Sequence, residues 1–171
     1  PVEYPKVGED PSACKIGVVN IATAKTKWMN VPGSAVQNYI PRMEWSNKNE
    51  IIIQQLDRKQ QVSKIMLLNA VTGLASLINE EKDAAWIDIK SRWNNDDPTG
   101  WEWINEGKDF LWVSEKDGWR HIYSINLATK KETLLTSGNY DMIGFGAIDQ
   151  ANGYVYFTAS PNNALQQYLY R

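Results

Sequence analysis

Cysteine and histidine are nearly missing from this chain, with one of each, Cys14 and His121, in 171 residues. A single cysteine excludes an internal disulfide, and one Cys with one His at unrelated offsets cannot supply a tetrahedral zinc set. No Asn-x-Ser/Thr sequon occurs, so nothing argues for a eukaryotic secreted protein, and a bacterial protein, cytoplasmic or periplasmic, fits at least as well. The formal net charge is only −2, with acidic and basic residues interspersed, which leaves no electrostatic footprint for nucleic acid or an anionic membrane. No apolar run approaches the roughly 18 residues of a membrane-spanning helix, and the opening Pro1-Val2-Glu3-Tyr4 is not a signal peptide, so any targeting signal is expected upstream. No cofactor is implied. What the chain does have is 43% apolar residues, enough for a sizeable core.

It also repeats itself. Lys15-Ile16-Gly17-Val18-Val19-Asn20, Lys64-Ile65-Met66-Leu67-Leu68-Asn69 and His121-Ile122-Tyr123-Ser124-Ile125-Asn126 each end in Asn, run into a Thr-containing turn and lead to a second short apolar run. With a truncated copy at Tyr168-Leu169-Tyr170-Arg171, the equivalent apolar position falls at 16, 65, 122 and 169. A period of about 50 residues built from short strands and tight turns predicts an all-β fold of antiparallel four-stranded blades, a partial β-propeller.

A second anchor, Met43-Glu44-Trp45 and Trp101-Glu102-Trp103, sets the blade register. The reading is one propeller segment over 1–171: the end of a blade at 1–38, a blade at 39–79, a long connection at 80–100, a blade at 101–137 and the start of a blade at 138–171. Two blades are complete and two partial, so the chain is expected to begin and end inside blades of a larger protein. Labelling strands A to D, the complete blades read 40–45, 51–56, 64–69 and 74–78, then 101–104, 110–114, 120–126 and 133–136. Asn152-Gly153 and Asp117-Gly118 predict type I′ hairpin turns. Trp45, Trp103 and Trp112 are expected as core residues between neighbouring blades, with ligand stacking as the alternative. In an up-and-down blade the A–B and C–D turns share one face, while the B–C and D–A connections share the other; the second set is longer here, which marks that face as the functional one.

Catalytic chemistry is hard to find. There is no Gly-x-Ser-x-Gly elbow, and His121 occupies the strand position of Lys15 and Lys64, which reads as surface or blade packing rather than catalysis. Cys14 reads as an ordinary small residue. Asp96-Asp97 and Glu80-Glu81-Lys82-Asp83 lack the alternating spacing of a calcium loop and read as solvated loop charge. The lone Gly144-Phe145-Gly146 fits a glycine-rich inner strand. Asp57-Arg58-Lys59-Gln60 reads as a solvated B–C turn, with contact to a partner domain as the alternative.

Particular strings then resemble a known family. Tyr4-Pro5-Lys6-Val7-Gly8-Glu9-Asp10-Pro11 leading into Gly17-Val18-Val19-Asn20, the Ile53-to-Gln60 strand, and Phe110-Leu111-Trp112-Val113-Ser114-Glu115-Lys116-Asp117-Gly118-Trp119-Arg120-His121-Ile122-Tyr123 resemble, in order, passages of the dipeptidyl peptidase IV family, in its Bacteroides-type bacterial branch. The resemblance implies a parent serine exopeptidase that removes dipeptides, often after proline, from peptide N-termini. It also implies a propeller that filters substrates and covers a C-terminal α/β-hydrolase domain of the same chain. It places the catalytic Ser, Asp and His beyond Arg171 and the glutamates that bind the substrate ammonium before Pro1, so no catalytic residue is expected here, and Glu80-Glu81 does not match that pair. One family site is expected within the chain: the loop after a Trp in the long connection, where Trp86 matches the Trp and Arg92 and Trp93 could line an extended substrate pocket. A purely structural loop is the alternative.

Two other readings stay open: a scaffold or binding propeller with no hydrolase, and a tripeptidyl or acylaminoacyl peptidase of the same superfamily. The resemblance also implies export to the periplasm or cell envelope. An open arc of blades exposes strand edges and apolar faces, so the chain is expected to self-associate.

Overall fold

In a computed structural model, residues 6–89 and 102–171 are described. Among them the chain is all-β apart from one 3₁₀ turn at Asn105–Gly107. Among the described residues thirteen strands form four antiparallel sheets. β1 (Gly17–Val19) pairs with β2 (Thr26–Trp28). β3 (Asn38–Asn47), β4 (Glu50–Asp57), β5 (Val62–Asn69) and β6 (Ala75–Lys82) form a four-stranded meander, as do β7 (Glu102–Ile104), β8 (Asp109–Ser114), β9 (His121–Asn126) and β10 (Glu132–Leu134). β11 (Met142–Asp149), β12 (Tyr154–Ala159) and β13 (Tyr168–Tyr170) form a three-stranded one. The order within every sheet is sequential, as propeller blades require: two complete and two partial blades.

The chain divides into two compact units, one ending at Asp88 and the other starting at Ile89. In the first, Ile51 and Ile53 of β4 and Met66 and Leu68 of β5 bury against Ile16 and Met29 beside the β1–β2 hairpin. The period of two along each strand puts these side chains on one face. In the second, Leu111 and Val113 of β8 and Ile122 of β9 bury against Met142, Phe157 and Ala159 of the β11–β12–β13 sheet. Within each unit, therefore, one blade packs on its neighbour through the middle strands.

The repeated Asn explains the repeated hairpin. The Oδ1 atoms of Asn20, Asn69 and Asn126 each accept from the backbone N–H groups two and three residues on, at 3.0 and 3.0 Å, 3.0 and 2.8 Å, and 3.2 and 2.8 Å respectively. Each closes an Asx turn that satisfies two amides at the strand exit. The next residue of the turn then goes left-handed: Ala24 at φ 54°, Gly73 at φ 81° and Lys130 at φ 62°.

Several sequence expectations need correction. Neither predicted turn is type I′: Gly153 and Gly118 have positive φ, but Asn152 and Asp117 do not. Asp149 instead accepts the Asn152 amide at 3.1 Å and shapes a longer loop. Trp112 is buried and Trp103 half-buried, in an aromatic chain with Phe110 at centroid distances of 5.9 and 6.5 Å, but Trp45 is 55% exposed. Trp45 pairs with Ile51 in register and so shares the face that packs on β1–β2, yet that two-stranded sheet covers β4 and β5 and leaves the end of β3 open. Finally, Glu80-Glu81-Lys82 is strand rather than loop, because β6 runs past Ile78 to Lys82, and Glu81 is buried. Gly144-Phe145-Gly146 does lie in a strand: at Gly146, β11 slips register against β12, and a Cβ there would lie 2.9 Å from the Tyr156 carbonyl oxygen.

Candidate functional site

Of the three sequence-predicted site residues, Arg92 and Trp93 lie outside the described residues. Trp86 is 58% exposed, just past the end of β6. The indole is not part of either core cluster of the described residues, so what matters is how firmly its backbone is held. Asp83 Oδ1 accepts from the amides of Ala85 at 2.7 Å and Trp86 at 3.1 Å, an Asx turn that projects the Trp86 residue from the strand end.

The adjoining β4–β5 turn is built to meet this segment. Asp57 Oδ1 accepts from Gln61 N at 2.7 Å and Val62 N at 2.9 Å, and Gln60 is left-handed at φ 53°. The turn and the segment after β6 are then joined at both ends. Asp83 N donates to the Gln61 carbonyl at 3.0 Å and Ile87 N to the Gln60 carbonyl at 2.7 Å. Gln61 Nε2 donates to the Ala84 carbonyl at 2.6 Å, and Gln60 Nε2 to the Ile87 carbonyl at 3.2 Å. The solvated turn expected at 57–60 is thus a structural bracket. Arg58 extends it the other way, donating from Nε to the Val36 carbonyl at 2.7 Å with its guanidinium 4.1 Å over the Tyr39 ring.

Glu80 is already engaged: its carboxylate contacts Lys82 at 2.8 Å and Lys64 at 3.5 Å. The hydrogen bond from Lys82 is the main influence holding its pKa below the ordinary range; desolvation opposes it, and the charges of Lys82 and Lys64 add to the lowering.

The second unit carries its own cluster in the corresponding B–C and D–A connections. His121, 2% exposed, donates from Nδ1 to Asp117 Oδ2 at 2.8 Å and lies edge-on to Tyr140 at 5.9 Å. The Arg120 amide donates to Asp141 Oδ1 at 2.7 Å, and Met142 N donates to the Arg120 carbonyl at 2.7 Å. Burial alone would raise the Asp117 pKa, but hydrogen bonds from His121, Tyr123 and the Trp119 amide together hold it below the usual range. Burial pushes Tyr140 up. His121 is therefore a blade-packing residue that fastens the β8–β9 turn to the chain entering β11. Cys14 is exposed, and among the described residues no group of three or more His, Cys, Asp or Glu is placed to hold a metal ion.

Sequence reading missed Gln60, Gln61 and Asp83 as supports of Trp86. The one available signal was Asp83 itself, an Asx residue followed by small residues in the same relation as Asn20 to its turn.

Sequential antiparallel meanders, two of four strands with a hairpin and a three-stranded sheet beside them, define the propeller class. The profile of the dipeptidyl peptidase IV (DPP IV) N-terminal region matches residues 1–171, and the chain belongs to that family. The crystal structure of Porphyromonas gingivalis dipeptidyl peptidase 4 superposes with a TM-score of 0.81 at 28% identity, over 98% of this chain and 23% of that one. A Bacteroides ovatus structure, solved as a candidate dipeptidyl aminopeptidase IV, gives 0.74 at 22% identity over 98% of this chain and 25% of that one, and at that identity speaks to the fold alone. The mouse inactive dipeptidyl peptidase 10 is 26% identical over 98% of this chain and 22% of its own length. The chain thus spans under a quarter of this curated relative and is a dipeptidyl peptidase-like propeller segment.

Proposed function

We propose that this chain is a non-catalytic segment of the substrate-gating propeller domain of a dipeptidyl peptidase IV-like serine exopeptidase that cleaves dipeptides, often X-Pro, from peptide N-termini. The observation that carries the reading is the family match along all of residues 1–171, joined to a likeness of 0.81 with a dipeptidyl peptidase 4. On this reading the partners are a C-terminal α/β-hydrolase domain of the same parent chain and peptide substrates, and the parent is exported to the periplasm or cell envelope. The loop beginning at Trp86, with Arg92 and Trp93, lines the extended substrate pocket. An exposed indole on a braced backbone suits that task, because it offers a flat apolar surface to a passing chain without first having to be ordered.

The test is steady-state kinetics of the full-length parent with a Gly-Pro chromogenic substrate and a longer X-Pro peptide. Trp86→Ala, and the double change Arg92→Ala with Trp93→Ala, are expected to raise KM for the longer peptide several-fold. Unchanged kinetics on that peptide would remove the pocket role. A second reading has its own support: the mouse relative is an inactive dipeptidyl peptidase, so a parent that hydrolyses neither substrate would be a binding propeller.

A further inference from the structure

We infer that Gln60 and Gln61 are positioning residues for Trp86, a two-amide latch through which the β4–β5 turn sets the indole where an extended peptide passes. The inference rests on the proposed pocket role of Trp86. Two adjacent side-chain amides donate to two carbonyls on either side of the tryptophan, Ala84 at 2.6 Å and Ile87 at 3.2 Å. The backbone bonds Asp83 N to Gln61 O and Ile87 N to Gln60 O close the same bracket. Four contacts from one turn therefore span Asp83 to Ile87, and Trp86 is the large exposed aromatic between them.

The turn carries a conformational cost that the latch explains. Gln60 is left-handed at φ 53°, a conformation costing a non-glycine residue about 1–2 kcal/mol. Glycine there would relieve that cost and lose the amide. Left-handed Gln60 is what allows its carbonyl and its side chain both to address Ile87. Asp57 fixes the rest of the turn by capping Gln61 N and Val62 N, so the amide of Gln61 leaves from a backbone already held.

The test uses the full-length parent and the isosteric changes Gln60→Glu and Gln61→Glu, which keep side-chain length and remove the donor. If one variant fails to fold, the other supplies the measurement. Each is expected to raise KM for a longer X-Pro peptide about threefold to tenfold, the size of one modest hydrogen bond, with kcat nearly held. Combined with Trp86→Ala, either change should add nothing further on that peptide, because it acts through the indole. Effects that add in full to Trp86→Ala, or that reduce the Gly-Pro substrate and the longer peptide alike, would overturn the latch while leaving the pocket role of Trp86 standing. Trp86→Ala without effect on the longer peptide would instead bring down the pocket reading, and the latch with it.

Discussion

The left-handed residues of the three sister turns test how this sequence tolerates strain. Gly73 meets the requirement without a Cβ, while Ala24 and Lys130 meet it against their own sterics. A left-handed non-glycine residue costs about 1–2 kcal/mol, and glycine returns about 0.5–1 through the unfolded chain. Lys130→Gly is therefore expected to stabilise the second unit by a few tenths to about 1 kcal/mol. Gly73→Ala should destabilise by more than about 1 kcal/mol, since its Cβ would also lie 3.1 Å from the Trp28 carbonyl oxygen and from Lys27 Cε. Urea midpoints check both. Acid sensitivity belongs to the same scale. Asp117 has a folded pKa below its ordinary 3.8, so its stabilisation is fully present above that value and is lost as pH falls through the lower folded one. The stability gap between the native protein and Asp117→Asn should accordingly be constant near neutrality and close below about pH 4. A gap that widened on acidification would contradict the hydrogen-bond account.

Strands and turns were legible in unequal measure. The blade hairpins could be read because β-branched runs end in an Asn that signals its own turn, and the Asx bonds of Asn20, Asn69 and Asn126 bear this out. The end of β6 was not legible: Glu80 and Lys82 look like loop charge, and only their pairing with β5, opposite Lys64 and Val62, makes them strand. The type I′ expectation failed because Asp149 has a side chain that can cap the longer loop, a competition invisible in the dipeptide alone. Trp86 was singled out as a candidate only through the family resemblance; the support of its segment is tertiary, made by glutamines from a turn far away in sequence. The same reasoning separates the three asparagines. Asn126 Nδ2 also donates to Asp109 Oδ1 at 2.5 Å. Asn126→Asp should thus oppose two carboxylates and cost about 1–2 kcal/mol, while Asn69→Asp, which keeps both capped amides at 3.0 and 2.8 Å, should be near neutral. Equal effects at the two positions, measured by denaturant midpoint, would contradict this assignment of roles.

At the scale of the molecule, neighbouring blades hold each other through apolar faces, so a partial blade leaves part of its neighbour bare. Met43 and Trp45 on β3 are 57% and 55% exposed beside the two-stranded β1–β2 sheet. Bare apolar surface of this kind, together with open strand edges, favours association. The chain on its own is expected to show a mass by light scattering that rises with concentration; a monomer throughout would count against that. The central claim concerns the parent. The measurement that tests it most directly is hydrolysis of a Gly-Pro chromogenic substrate by the full-length protein, with residues 1–171 assayed beside it. Activity in the full-length protein and none in the segment is the result predicted for a propeller segment of a dipeptidyl peptidase; silence in both would contradict the peptidase assignment.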